Sequence, residues 1–174
     1  MDPELFQQLA LPLFDSLYNM AHWLTGNRAD AEDLVQETFA KALKGFDRFQ
    51  PETNFRAWMF RILRNTFLTS RTGLAVRMTS SLDEDESVGE KLQGGETPES
   101  VLLLKFDHDA VRRGLAELDV LQREVLLLCE VEEMSYREIA ETLSIPIGTV
   151  MSRIARARRA LRQLLQPEVK RRTV

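Results

Sequence analysis

The chain has 174 residues, of which 44% are hydrophobic and 29% charged, and its formal net charge is −4. This composition is typical of a globular protein with one ordinary or two small domains. The sequence contains no run of about 18 apolar residues, so we expect no membrane span. The N-terminus lacks the basic and apolar regions of a signal peptide, and the single cysteine excludes an internal disulfide. We therefore expect a protein of the reducing cytoplasm.

The charge is unevenly distributed along the chain. Residues 71–100 carry three basic and seven acidic side chains, whereas residues 147–174 carry eight basic side chains and a single acid, Glu168. A basic patch of this kind can bind a polyanion while the rest of the protein stays acidic.

Apolar residues in the first 70 positions recur at helical spacing and predict three helices, and no segment shows the alternation of a strand. Asp30 is the predicted N-cap of the second helix, with Glu32 and Asp33 in its first turn, where the helix dipole favours acids. The third helix is predicted to begin near Asn54. The predicted inward-facing residues are Leu13, Leu17, Met20, Ala21, Leu24, Leu34, Thr38, Phe39, Ala42, Leu43, Phe46, Phe55, Met59, Ile62, Leu63, Thr66 and Phe67.

The middle of the chain predicts a flexible acidic linker. Residues 78–100, MTSSLDEDESVGEKLQGGETPES, are rich in Ser, Glu, Asp and Gly and have no hydrophobic period. A surface loop inside one domain is the weaker alternative, because loops of this length are uncommon in compact domains. We expect an all-α fold of two small helical domains, residues 1–75 and 101–174, joined by a linker at 76–100.

The last third of the chain predicts a helix-turn-helix after two preceding helices. The stretch SYRE (135–138) is a capping box, in which Ser135 and Glu138 satisfy each other's backbone amides. The short helix YREIAETL (136–143) follows, then the tight turn SIPIG and a longer final helix. Ser144 stands where this motif often has glycine, so we expect it to be left-handed and strained.

A helical wheel divides the final helix into an apolar and a basic face. The apolar arc consists of Val150, Ile154, Ala157, Leu161 and Leu164. The opposite arc consists of Ser152, Ala155, Arg156, Arg159 and Arg162, flanked by Met151, Arg153 and Arg158. A helix fits the major groove of DNA, and arginine pairs bidentately with guanine or phosphate. DNA binding is favoured over a merely solvated basic face because the capping box, turn, apolar arc and acid-free face coincide.

Three segments resemble the extracytoplasmic-function (ECF) sigma factors, the small two-domain initiation subunits of bacterial RNA polymerase in the sigma-70 family. DAEDLVQETFAKAL (30–43) is similar to the signature helix of sigma region 2. NFRAWMFRILRNTF (54–67) resembles the helix that melts the promoter and recognises its minus-ten element. REVLLLCEVEEMSYREIAETLSIPIGTVMSRIARARRAL (123–161) resembles region 4, which reads the minus-thirty-five element. The resemblance covers nearly all of the chain except the linker.

The resemblance implies a region 2 helical bundle, a region 4 helix-turn-helix and a set of partners. It implies docking on the beta-prime clamp helices and the beta subunit of core RNA polymerase, promoter binding, and control by an anti-sigma factor. The implied polymerase-binding residues are Asp33, Gln36 and Glu37. The implied minus-ten residues are Phe49, Asn54, Arg56, Arg61, Arg64 and Asn65, with 47–54 as the pocket-forming loop. The implied minus-thirty-five residues are Met151, Ser152, Arg153, Ala155, Arg156, Arg158 and Arg159.

Family members often carry arginine and an aromatic or bulkier residue where this chain has Met151 and Ala155, so its preferred promoter need not be the usual one. Two interpretations of the acids at 83–86 stay open. In the first, these acids (Asp83, Glu84, Asp85 and Glu86) lie in basic channels of the polymerase, as the family resemblance implies. In the second, they belong to a solvated tether.

No constellation in the sequence predicts an enzyme, a metal site or a cofactor. His22 and His108 are far apart, and Cys129, in the apolar run EVLLLCEV, is predicted to be a buried, inert thiol. Two rivals to the sigma-factor hypothesis remain. A dimeric helix-turn-helix regulator would leave the first 70 residues without a role, and an adaptor that only sequesters an anti-sigma factor has no need of groove-facing arginines.

Overall fold

The computed structural model describes residues 3–70 and 108–172, and every regular element within them is a helix. The chain separates into two compact units. We call residues 3–70 the N-terminal unit and residues 108–172 the C-terminal unit. The all-α prediction is confirmed, whereas the predicted linker and domain boundaries lie outside the described residues. In the parts that the structure covers, no helix is both long and apolar enough to span a bilayer.

The N-terminal unit contains four α-helices where the sequence predicted three. They are α1 (Pro3–Ala10), α2 (Phe14–Thr25), α3 (Arg28–Gly45) and α4 (Phe55–Ser70). Helix α3 packs against both α2 and α4. The unpredicted helix, α1, buries only Phe6 and Ala10, although Leu5, Phe6, Leu9 and Ala10 recur in the sequence at the spacing of a helix, so it was predictable.

Helix α3 begins earlier than predicted, because its N-cap is Asn27 and not Asp30. Gly26, with a φ of 78°, ends α2 in the left-handed conformation and turns the chain. The Asn27 side-chain oxygen then accepts a hydrogen bond from the Asp30 backbone N–H at 2.9 Å. The Asp30 carboxylate in turn accepts from the Asn27 amide at 2.6 Å. Asp30 therefore closes a capping pair from inside the first turn.

The core of the N-terminal unit contains most of the predicted residues, with one clear error. Leu43 is 38% exposed, although it was predicted to face inward. At 3.6 residues per turn it lies about 100° beyond Ala42, the last buried residue of α3. Phe60, which is not on the predicted list, is among the largest fully buried side chains.

The C-terminal unit contains α5 (His108–Glu117), α6 (Val120–Leu126), α7 (Tyr136–Leu143) and α8 (Ile147–Arg172), with a π-helical turn at Leu127–Val131 after α6. Helix α8 packs on α5 and α6. Helices α5 and α8 pack closely together where α5 has a glycine, Gly114. A Cβ placed on Gly114 would lie 2.7 Å from Leu161 Cδ1, so a larger residue there forces the leucine to move.

The buried arc of α8 differs from the prediction at its C-terminal end. Val150, Ile154, Ala157 and Leu161 are buried as predicted, but the next core residue is Leu165, which is 1% exposed, and not Leu164. The spacing of four, three, four and four residues keeps this arc on one side of the helix.

The helix-turn-helix is formed as the sequence predicted. The Ser135 N–H donates to Glu138 Oε2 at 2.8 Å, and the Glu138 N–H donates to Ser135 Oγ at 3.2 Å, which closes the capping box at the start of α7. Ser144, in the turn before α8, has a φ of 56° and is left-handed as expected.

Replacing Ser144 with glycine is expected to stabilise the protein. The left-handed conformation costs an L-residue about 1–2 kcal/mol, and the greater freedom of unfolded glycine offsets part of that gain. We expect Ser144→Gly to raise the free energy of unfolding by about 0.5–1 kcal/mol in urea titrations followed by circular dichroism. Ser144→Ala, which keeps the Cβ, is the control and is expected to show no such gain; a Ser144→Gly protein less stable than the parent would contradict the assignment of strain.

Candidate nucleic-acid interfaces

The outer face of α8 presents two of the predicted arginines to solvent. Arg156 and Arg159 are exposed, and Met151, Ser152 and Ala155 beside them are half-buried. Small side chains at 152 and 155 leave the helix backbone accessible to a close neighbour. The Arg156 Nε donates to the Ser152 carbonyl at 3.4 Å, so this guanidinium lies along the helix surface. Residues 147–166 contain no acid in the sequence, which gives this face a uniformly positive character.

Two predicted arginines of α8 are not on that face. Arg153 and Arg158 are both buried, each 9% exposed. They flank the buried arc, so their long side chains turn toward the rest of the unit. The structure therefore does not bring them together with Arg156 and Arg159, and we leave both out of the base-contacting set.

Arg158 is held by an acid that sequence reasoning missed. Its Nε and Nη2 both donate to Glu130 Oε1, at 3.1 and 2.5 Å. Burial alone acts to lower the pKa of Arg158, but the hydrogen bond and charge of Glu130 raise it above the ordinary value. The partners are 28 residues apart in sequence, so no local pattern predicts the pair. This ion pair links the π-helical turn to α8.

Cys129 lies next to this ion pair, with its Sγ 3.9 Å from Arg158 Nη2. The thiol is half-buried, less than the full burial that was predicted. Burial raises the pKa of the Cys129 thiol, the negative charge of Glu130 adds to the rise, and Arg158 opposes it. Since the thiolate is the reactive form, a raised pKa agrees with the predicted inert thiol.

Helix α4 carries the predicted minus-ten residues in unequal environments. Asn65 is exposed, and its side-chain amide makes no hydrogen bond within the described residues. Arg61 is half-buried, and its Nε is buried without a hydrogen-bond partner in the same parts of the chain. Arg56 is half-buried, with its guanidinium carbon 5.8 Å from the centre of the Phe60 ring. Arg64 is also half-buried.

Two further predicted minus-ten residues have structural roles. The Asn54 side-chain oxygen accepts from the Ala57 N–H at 3.0 Å and caps α4. Phe49 is half-buried, with its ring centre 5.2 Å from that of Phe55 and 5.1 Å from that of Trp58. The aromatic ring of Phe49 is therefore packed within the unit and not presented as an open stacking surface.

A cleft of about 260 Å³ lies between α3 and α4. Of the residues that line it, only Asn65 was a predicted site residue, because the cleft depends on how two helices pack. The lining residues are Lys41 and Gly45 from α3, and Trp58, Ile62, Asn65, Thr66 and Thr69 from α4.

The predicted polymerase-docking residues lie on the outer side of α3. Asp33, Gln36 and Glu37 are all exposed, and their spacing of three and four residues places them on one face. Glu37 also forms an ion pair with Lys41 at 2.7 Å, one turn further along α3. Among the described residues, no group of three or more His, Cys, Asp or Glu side chains is arranged to hold a metal ion.

Comparison with known proteins defines the class. The sequence model described as "Sigma-70 region 2" matches residues 12–75, and that described as "Sigma-70, region 4" matches residues 108–161. The two matches together cover most of both helical units, so the chain is a two-domain initiation factor of the sigma-70 type.

Similar proteins narrow the family further. The chain is 39% identical to "ECF RNA polymerase sigma factor EcfG" of Rhodopseudomonas palustris, over 86% of this chain and 79% of that one. It is 37% identical to "ECF RNA polymerase sigma factor SigE" of Mycolicibacterium smegmatis over 91% of this chain. The match spans only 63% of the length of that relative. The chain belongs to the ECF sigma factors.

A solved structure agrees with this assignment. The sigma factor RpoE from Bartonella quintana, crystallised in complex with the anti-sigma factor NepR, matches with a TM-score of 0.67 and 32% identity, over 92% of this chain and 96% of that one. The resemblance stated from the sequence and the two-domain fold are thereby confirmed. Sigma factors are initiation factors without catalytic activity, so the protein is not an enzyme.

Proposed function

We propose that this chain binds core RNA polymerase, recognises the minus-ten and minus-thirty-five elements of a promoter and initiates transcription. The observation that carries the proposal is the acid-free outer face of α8, which bears the exposed Arg156 and Arg159 on a helix-turn-helix. In this motif the second helix enters the major groove and its side chains read base edges. Met151, Ser152 and Ala155 complete the proposed minus-thirty-five surface.

The proposed minus-ten surface is on α4. Asn65 has an amide that makes no hydrogen bond within the described residues and suits a base edge. Arg61 makes no hydrogen bond or ion pair with the described parts of the chain, which suits a phosphate. Arg56 and Arg64 are further phosphate candidates on the same helix, while Asn54 and Phe49 support this surface from within the unit.

The proposed polymerase surface is the exposed face of α3 with Asp33, Gln36 and Glu37. Two carboxylates and an amide on one face suit a basic, hydrogen-bonding partner. We assign it to the beta-prime clamp helices, with further contacts to the beta subunit.

Regulation by an anti-sigma factor is part of the proposal, because the similar RpoE structure is a complex with one. The protein would then be cytoplasmic, associated with the nucleoid when active and held at the membrane when its anti-sigma factor is a membrane protein. The rival of a DNA-binding regulator is disfavoured by the region 2 match, which gives the N-terminal unit a role. The rival of a DNA-free adaptor is disfavoured by the arginine face of α8.

Run-off transcription tests this function. Core RNA polymerase, the purified chain and a library of promoter sequences are expected to yield RNA with defined start sites, which core polymerase alone does not produce. Absence of any defined start site across the library would contradict the proposed function.

Reversing the charge of Arg156 is expected to abolish promoter-specific transcription and leave polymerase binding intact. A lost bidentate contact costs about 1–3 kcal/mol, and a carboxylate placed against DNA adds repulsion. Run-off yield and co-purification with core polymerase are the two measurements. Arg113→Glu, on the exposed side of α5, changes the net charge equally and is expected to retain transcription. Normal initiation by Arg156→Glu would show that the α8 face is assigned wrongly.

Asp33→Lys is expected to have the opposite pattern, with polymerase capture lost and duplex binding by α8 retained. A lysine in place of a rim carboxylate repels a basic partner and slows association. Asp15→Lys reverses an exposed acid on a different helix, α2, and is expected to behave as the parent. Pull-down of core polymerase measures the difference, and equal capture by both variants would refute the docking face.

A further inference from the structure

We propose that Glu130 is a specificity-determining residue, because it holds Arg158 away from DNA. Phosphate contacts raise the affinity for every DNA sequence alike, whereas contacts to base edges distinguish one sequence from another. An arginine withheld from phosphate therefore lowers non-specific binding without any loss of base readout. This role rests on the proposed function of α8 as the helix that enters the major groove, and it belongs to an acid outside the predicted site.

The ion pair leaves the Arg158 guanidinium little access to an external ligand. Its Nε and Nη2 both donate to Glu130 Oε1, at 3.1 and 2.5 Å. Only 10% of the Arg158 side chain is exposed, against 44% of the Glu130 side chain. Cys129 adds a weaker contact, with its Sγ 3.9 Å from Arg158 Nη2. In this arrangement the carboxylate neutralises the arginine, and the pair adds no net charge to the outer face of α8.

Arg158 lies at the border of the outer face of α8 and would reach DNA if it were released. It follows Met151 by seven residues and Ala155 by three, so the three side chains lie along one flank of the helix. Met151 and Ala155 are half-buried members of the proposed minus-thirty-five surface. An arginine stem is long enough to carry its charged head from this flank toward a neighbouring phosphate. The pairing with Glu130 is thus what keeps Arg158 out of that surface.

The π-helical turn directs Glu130 toward α8. The Glu132 N–H donates to the Leu127 carbonyl at 3.0 Å, five residues back, where an α-helix uses the carbonyl four residues back. The wider turn changes the direction of the side chains within it relative to a continued α6. Glu133, with a φ of 52°, follows the turn in the left-handed conformation, which is uncommon for a residue other than glycine. The placement of Glu130 depends on this irregular backbone, and such turns are frequent at functional sites.

Stability alone does not account for a charged pair at this position. Replacement of a buried ion pair by apolar side chains is often neutral or stabilising, so a hydrophobic residue at position 158 would fill the interior equally well. Residues 147–166 contain no acid of their own, and Glu130 is brought against this helix from another element. The pair therefore acts on the charge of the DNA-binding surface beside it, where each arginine that is left unpaired adds non-specific affinity.

The test measures binding of the full-length chain to a fluorescein-labelled DNA duplex of randomised sequence by anisotropy, over a series of salt concentrations. We expect Glu130→Gln, which removes the charge that holds Arg158, to bind this duplex about threefold more tightly. The slope of log K against log salt is expected to steepen by about 0.9, the value for one additional phosphate contact. Glu133→Gln is the matched control, because it removes the same charge from an exposed acid that makes no ion pair within the described residues. It is expected to bind like the parent.

A double-mutant cycle separates the release of Arg158 from the mere loss of an acid. Arg158→Met is expected to leave the salt slope unchanged, since the arginine makes no phosphate contact in the parent. In the Arg158→Met background, Glu130→Gln is expected to bring no gain in affinity, because no guanidinium is left to release. An equal gain with and without Arg158 would overturn the proposal in favour of general repulsion by the acid. A shallower slope in Arg158→Met alone would overturn it in favour of a direct phosphate contact by Arg158.

Stability and selectivity are measured on the same proteins. A lower free energy of unfolding in Glu130→Gln, without any gain in duplex affinity, would show that the pair is only a structural link and would also overturn the proposal. With core polymerase, the run-off yield from a promoter is compared with that from the same DNA carrying a scrambled minus-thirty-five element. We expect Glu130→Gln to lower this ratio about threefold, in step with its non-specific affinity, and Glu133→Gln to keep it. The salt slope of Arg158→Met remains decisive if Glu130→Gln does not fold.

The outcomes also separate the role of Glu130 from the proposed function. If the parent chain yields defined start sites while Glu130→Gln binds the randomised duplex like the parent, the role of Glu130 fails alone. If Glu130→Gln gains affinity through Arg158 but the parent yields no defined start site with polymerase, Glu130 still controls the access of Arg158 to DNA and the proposed function fails.

Discussion

The burial of one side of α8 against α5 and α6 is the constraint on which the C-terminal unit depends. Once Val150, Ile154 and Leu161 are in the core, helical geometry decides the direction of every other side chain. Arg156 and Arg159 therefore point to solvent, where they are accessible to a groove of DNA. Arg158 is forced inward and requires an acid, and Glu130 supplies it. The chemistry of the proposed DNA-binding surface is thus a consequence of packing on the opposite side of the same helix.

A similar relation connects packing and surface in the N-terminal unit. The aromatic rings of Phe49, Phe55 and Trp58 pack on one another at the start of α4. Trp58 of this cluster faces Gly45 at the end of α3, and the space left where Gly45 has no side chain is part of the cleft. A glycine at the end of a helix and an aromatic ring on its neighbour therefore define a cavity that neither helix contains alone.

Features set by neighbours in sequence were predictable, and features set by tertiary contacts were not. The Ser135–Glu138 capping box and the left-handed Ser144 follow from local hydrogen bonding and turn geometry. Asn27 displaced Asp30 as N-cap because two cap-forming residues compete within one turn, and sequence alone does not choose between them. The burial of Arg158 depends on an acid 28 residues away, and the cleft depends on the packing of two helices.

The two small DNA-binding surfaces proposed for this chain would have a thermodynamic advantage over one large surface. The outer face of α8 exposes only two of its predicted arginines, and the chain as a whole is acidic, with a formal net charge of −4. Each unit alone would therefore hold DNA weakly, and non-specific binding would stay low. When both units are joined in one chain, binding of the first raises the effective concentration of the second at its own site. Selectivity would then come from the requirement for both contacts at once, and a partner that covered either unit would be enough to abolish it.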